Sequence, residues 1–347
     1  MRRAATWQAE PGYDGAMRLA ILMALALTAM VPSIGGITYT CDSSLSVANG
    51  FPSDICAMLN GAQAAGVYDS IFSNMSASIY IQYAGGGLAG SDVALNDVSY
   101  SAYLSALSAQ SNSPAWQSLA PTEPLLYGGD DVAISSSLAA ALGFGGALAG
   151  MTATGASCTF GTPGCYSGVI TIGSSANPIY FPPSPGSPTS AGWDFFSLVE
   201  HETDEILGTI SCIGTSNGAP YVQCVDGSGN SYVAPADLFR YAAPGTLSWV
   251  GTANGSIAYF SIDGGKTAIN YYNNSPNNED YGDWSGGCFV QSASACQSVN
   301  MDISTDGGSE VALLNAVGFN TVPEPGTMGL VGASVVALAA WGARRGR

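Results

Sequence analysis

Residues 193–208 read WDFFSLVEHETDEILG, and the rest of the chain is best understood outward from them. Phe195, Leu198, Val199, Ile206 and Leu207 recur at helical spacing and form one apolar side, Asp194 stands where a first turn needs an acceptor, and Gly208 closes the far end. The other side carries the only histidine of the chain, His201, followed at once by Glu202 and at i+4 by Glu205. Positions i and i+4 share a helix face, so the His201 imidazole and the Glu205 carboxylate can reach one ion. Glu202, rotated by about 100° around the helix, addresses the same point from the side. Zinc accepts this mixture of imidazole nitrogen and carboxylate oxygen.

Around this helix the pattern is mixed. Residues 54–74 repeat apolar positions every three to four and predict a helix with Asp54 near its N-cap; SASIYIQY (76–83) alternates like a strand. Residues 85–97 read as loop, and SYSAYLSALSAQ, the neighbourhood of Trp116 and AISSSLAAALGF as short helices. GVITIG and NPIYF suggest a hairpin turning at residues 174–177, with a Pro-rich loop after it. Beyond residue 208 come Gly-, Ser- and Asn-rich loops and one last helix over 310–317. No internal repeat is visible, and this order predicts an α+β domain with an irregular C-terminal half.

The net charge of −17 excludes a phosphate backbone as partner, so no nucleic acid is expected. Six of the eight cations stand near the termini, leaving only Arg240 and Lys266 among the 23 acids of residues 37–325. The uncharged run LAILMALALTAMV (19–31) behind Arg18 has the length and flank of a secretory signal, so residues 1–36 read as an N-terminal extension and signal peptide, removed by signal peptidase. At the other end, residues 326–343 lack charge and three Arg follow within four positions. With Pro323-Glu324-Pro325 ahead of it, this segment (321–347) resembles the PEP-CTERM sorting signal of Gram-negative bacteria. That resemblance implies exosortase as partner, transient anchoring through the C-terminal transmembrane helix, and a body delivered to the envelope or outside the cell. The eight cysteines all lie in the body; in an exported chain they read as disulfides, and their spacing suggests the local pairs 41/56, 158/165, 212/224 and 288/296.

HETDEILGTIS (201–211) resembles the metzincin pattern HExxHxxGxxH: His201, Glu202 and Gly208 match, Glu205 replaces the second His, and Ser211 stands at the third. WDFF before the helix, ADLFRYAAPG (236–245), AYFSIDGGKT (258–267), DYGDW (280–284) and LLNAVGF (313–319) extend the likeness, which resembles a family of PEP-CTERM-sorted zincin-like metalloproteases with HExxE in place of HExxH. The resemblance implies a zincin-like (metzincin-like) catalytic domain over residues 37–320, a zinc cofactor, and a secreted metalloendopeptidase. His201 and Glu205 would be metal ligands and Glu202 the general base that deprotonates a metal-activated water attacking the peptide carbonyl. The hairpin of residues 167–181 would offer its edge to an extended protein or peptide substrate.

The third ligand is open. Asp237, inside the ADLFRY motif, is the first choice, with Asp226 and Asp283 as further candidates. Arg240 reads as the partner of a buried carboxylate or as the holder of a substrate carboxylate. The loops 226–230, 277–283 and 302–310 concentrate oxygen donors and suggest structural calcium. The last of these begins like an EF-hand, with Asp302, Ser304, Asp306 and Gly307, but has Leu313 where the twelfth-position acid belongs. Rival readings are a non-catalytic envelope or matrix-associated protein with a protease-like fold, and a carbohydrate-active enzyme using paired carboxylates.

Overall fold

Alternation in residues 77–83 does what it predicts: β2 (Ala77–Tyr83) buries Ala77, Ile79 and Ile81 on one face. In the computed structural model this strand is one of the inner two of a four-stranded sheet. β1 (Ile37–Cys41) runs parallel to it on one side, with Ile37 opposite Ala77. β8 (Gly168–Ile172) runs parallel on the other, and β3 (Ala89–Val93) closes the sheet antiparallel to β8. The structure describes residues 35–322 apart from 121–130, 177–178, 183–191, 217–218, 223, 225–231, 250–256, 275–279 and 307. The two apolar terminal runs and Asp226 therefore lie outside the described residues. No helix among those described is long and apolar enough to cross a membrane.

Two expectations change here. Residues 85–97 hold β3 and then β4 (Leu95–Ser99), which pairs with β5 (Asp131–Ser135). Gly, Ser and Asp are poor strand formers, so β3 owes its conformation to the hydrogen-bonding edge of β8 and leaves no local signal. The expected hairpin of residues 167–181 is absent: β9 (Ile179–Tyr180) pairs in parallel with β10 (Trp193–Asp194), and β8 has strands on both sides. The outer strands of this sheet are β1 and β3.

The helix expected over 54–74 is two short ones, α1 (Ile55–Leu59) and α2 (Ala65–Ile71). Between them Asn60 turns its amide to β1, accepting from Tyr39 N at 2.8 Å and donating to Tyr39 O at 2.9 Å. The helices α3 (Tyr100–Gln110) and α4 (Ser136–Ala141) begin at Ser99 and Ser135, whose hydroxyls accept from Ala102 N and Leu138 N. The remaining strands are short and antiparallel: β6 (Ala149–Met151) with β7 (Ser157–Thr159) ahead of the central helix, and after it β11 (Ile213–Ser216) with β12 (Ala219–Val222). Then come β13 (Arg240–Ala243) between β14 (Thr246–Leu247) and β15 (Tyr259–Phe260), with β16 (Asn270–Tyr271) beyond, before the terminal helix over Ser309–Val317. All four local disulfides are formed: Cys41–Cys56, Cys158–Cys165, Cys212–Cys224 and Cys288–Cys296.

The central helix, α5 (Phe195–Asp204), lies against β3 and β8. Asp194 caps it, Oδ1 accepting from Phe196 N at 2.8 Å and Ser197 N at 3.1 Å. Residues 205–209 continue as a π-turn that ends where Gly208 takes φ 137°, a conformation that excludes ordinary L side chains. β8 comes so close to this turn that a Cβ on Gly168 would stand 2.6 Å from Ile206 Cγ1. The expected apolar side, from Phe195 to Leu207, is buried in the main core. The polar side is buried too: Glu200, Thr203 and Asp204 are no more than 1% exposed. Tyr68 of α2 reaches it, donating to Glu200 O at 3.0 Å and Asp204 Oδ1 at 2.7 Å.

Candidate metal centre

His201 sits on the outer face of α5 with 18% of its side chain exposed. Its Nδ1 lies 2.8 Å from Val290 O, and since a carbonyl only accepts, Nδ1 carries the proton and Nε2 is left as the donor to an ion. Nε2 is 3.8 Å from Glu205 Oε1 and 3.7 Å from Asp283 Oδ1. One ligand atom from each of His201, Glu205 and Asp283 lies within 4.8 Å of the others, the one such group of His, Cys, Asp or Glu among the described residues.

The carboxylate that the fold brings beside His201 and Glu205 is Asp283, and the first choice, Asp237, is not part of this group. The Asp237 carboxylate is engaged elsewhere: Oδ1 accepts from Ser211 Oγ at 2.6 Å, and Oδ2 from Cys212 N and Ala234 N, each at 2.9 Å. It ties the segment after the π-turn to the 3-10 turn Pro235–Phe239, which is a structural task. Ser211, at the third metzincin position, is the donor to this carboxylate. Asp283 comes instead from the loop carrying DYGDW, where Gln291 Nε2 donates to its Oδ1 at 2.8 Å and Thr209 Oγ1 donates to Gln291 Oε1 at 3.2 Å. Sequence reading missed Val290, which meets His201 across 89 residues, and Gln291, which links Asp283 to Thr209, 82 residues before it.

Arg240 holds the base of that loop. It is fully buried, stacks 4.7 Å above the Tyr272 ring, and donates to Tyr281 O at 2.6 Å, Asn273 O at 3.2 Å and Asn274 Oδ1 at 2.5 Å. Its hydrogen bonds go to carbonyls and an amide, and the carboxylates of Asp237 and Asp280 act on it only through space. Complete burial leaves it no access to a substrate.

The electrostatics of the centre ask for a cation. Burial disfavours charge on His201, yet the neighbouring Asp283, Glu202 and Glu205 prevail and lift its pKa to about 10. Burial pushes Glu202 well above the usual carboxylate range, and Glu205 pushes it further by charge and by a hydrogen bond. Asp280 is raised in the same way by burial, then by Asp283 and Glu205. Ser91 Oγ of β3 donates to Glu205 Oε2 at 2.6 Å, orienting that carboxylate from the sheet side. Next to His201 and Glu202 opens a cleft of about 180 Å³, walled by Leu88, Ala89, Trp193, Phe289 and Val290.

Among protein families, the PEP-CTERM protein-sorting motif matches residues 321–345. The chain therefore carries an exosortase sorting signal, the mark of proteins exported and anchored at the cell envelope. Comparison with curated proteins gives no match, and comparison with solved structures gives none.

Proposed function

We propose that the chain is a secreted metal-dependent endopeptidase with a zincin-like fold, in which His201, Glu205 and Asp283 hold zinc. The observation that carries this reading is one donor set, imidazole Nε2 with two carboxylates, of which His201 and Asp283 line an open cleft that Glu202 lines too. Its fit is chemical: the Val290 carbonyl selects the tautomer with a free Nε2, and among the described residues no Lys or Arg forms an ion pair with the buried carboxylates around it. One histidine with two carboxylates is harder than the usual zinc set, so other divalent ions compete.

When bound, zinc supplies Lewis-acid polarisation of a water and of the scissile carbonyl. The protein's own residues do the rest. Glu202 takes a proton from the water whose oxygen attacks the carbonyl carbon; as the C–N bond breaks, it passes the proton to the departing amine. An extended peptide adds to the outer edge of β3, whose start, at Leu88 and Ala89, forms one wall of the cleft. The apolar wall of Trp193, Phe289 and Val290 favours an apolar side chain beside the cut bond. The sorting motif supports delivery by a Gram-negative exosortase, with transient anchoring through residues 326–343. The rival, a non-catalytic envelope protein, draws on the same motif, which speaks to address and not to chemistry.

The test is zinc content by mass spectrometry on the purified full-length chain after dialysis against trace zinc, beside His201→Ala, followed by hydrolysis of an unstructured protein substrate with Glu202→Gln. About one zinc per chain, absent from His201→Ala, and cleavage lost in Glu202→Gln with zinc retained, are expected. Zinc without cleavage would leave a binding protein; no zinc in the wild type would end the hydrolase reading.

A further inference from the structure

A second acidic group gathers around the first turns of α5, Asp194 at the far end of the His201 cleft, and takes no part in the proposed hydrolysis. Asp194, Glu200 and Asp302 are each no more than 3% exposed. The charge of Asp302 bears on both of the others and is the leading charge acting on Glu200. Backbone bonds register the two segments: Ile303 N donates to Glu200 Oε2 at 3.1 Å, Met301 N donates to Ser197 Oγ at 3.1 Å, and Ser197 Oγ donates to Met301 O. Asn300 Nδ2 donates to Asp194 Oδ2.

Counting donors against acceptors leaves a remainder. Asp194 Oδ1 is spent on capping α5, and Asp302 Oδ1 accepts from Ser304 N at 2.8 Å and from Ser304 Oγ. Asp302 Oδ2 and Asn300 Oδ1 are buried with no hydrogen-bond partner. No Lys or Arg pairs with any of these groups among the described residues. A buried carboxylate without counter-charge costs several kcal/mol, so it takes up either a proton or a cation. The orphaned atoms are oxygens, one of them an amide oxygen, which has no use for a proton. Oxygen-only donors on a short Asp-rich turn suit calcium, which takes 6–8 such ligands, and offer zinc neither nitrogen nor sulfur.

We propose that Asp194, Asn300 and Asp302, with Glu200 beside them, form a second cation site that takes calcium and staples the start of α5 to the 300–306 loop. The staple bears on the first site through a short relay. Asp306 Oδ2, four residues after Asp302, accepts from Val290 N at 3.2 Å, and Val290 O receives the His201 Nδ1–H. The inference stands independently of the peptidase reading, since it uses none of the zinc donors.

The experiment compares thermal unfolding of the full-length chain in millimolar calcium, in millimolar magnesium and in EGTA at pH 7.5, with terbium luminescence sensitised by Trp193 as a direct readout. Calcium raises the melting temperature by about 5 °C or more and magnesium by far less, because a ligand that binds only the folded state stabilises it in proportion to the logarithm of its saturation. Asp302→Asn and, as a milder second variant, Asn300→Ala lose at least tenfold in terbium affinity, while Asp283→Asn keeps it. No calcium-dependent shift and no terbium signal, or a shift that survives both variants, would overturn the proposal. In the first case the acids hold protons; in the second the ion sits in another loop.

Discussion

At the residue scale, Asp283 and Asp237 separate ligation from scaffolding. Asp283→Asn removes one of two anionic donors and is expected to drop bound zinc below a tenth of wild type with little change in folding. Asp237→Asn is expected to keep zinc while costing roughly 2–3 kcal/mol, because three donors lose a charged acceptor. Zinc content and urea unfolding of both variants, side by side, check the pair. Elsewhere Asp42 offers a cleaner titration. Tyr80 donates to its Oδ2 at 2.6 Å, and this bond, with those from Ser44, lowers its pKa to about 2. A depressed folded pKa means that the contribution is present above the unfolded value of about 4 and is lost as pH falls through about 2. Carbon-detected NMR of Asp42 is expected to show that midpoint, and Tyr80→Phe to return it toward the ordinary carboxylate value.

At the scale of elements, the end of α5 depends on one glycine and the start of the sheet on one disulfide. Gly208→Ala places a Cβ at φ 137° where there is room, the nearest neighbour being Leu138 Cδ2 at 3.6 Å, so its penalty is conformational. About 1–3 kcal/mol is expected, read from the shift in denaturant midpoint at unchanged slope. The Cys41–Cys56 bond closes a 15-residue separation between β1 and α1. Replacing both by Ser is expected to cost about 3 kcal/mol. α5 was legible because its signals are local: an Asp cap, an apolar period, a terminal Gly. β3 was not, because AGSDV acquires strand geometry only by lying against β8, and α1 and α2 read as one helix because nothing nearby announces that Asn60 bonds to Tyr39.

For the whole molecule, charge economy is decisive. Two cations serve the body of an acidic chain, and one of them, Arg240, is spent inside it, fastening the loop from which Asp283 comes. Arg240→Lys keeps the charge but lacks the guanidinium fork that serves Tyr281 O, Asn273 O and Asn274 Oδ1 together. A loss of roughly 2–4 kcal/mol is expected, with zinc binding weakened in step, checked by unfolding and zinc titration of the same variant.

What the sequence by itself determined is whatever rests on neighbours along the chain. The pairing of His201 with Glu205 follows from helix periodicity, the four disulfides from close cysteine spacing, and the sorting signal from its tripartite composition. Tertiary structure alone decided which carboxylate stands third beside His201 and Glu205, which strand end borders the cleft, and the burial of the acids on the inner side of α5. Asp237 had the better motif, yet three donors close around it, while Asp283 is carried to His201 by a loop that Arg240 and Gln291 hold in place. Glu200 and Asp204 are enclosed because α2 and the 300–306 loop pack over that side of the helix. Each of these outcomes depends on at least one group 25 to more than 100 residues away in sequence, and only folding brings its hydrogen bonds and charge to bear.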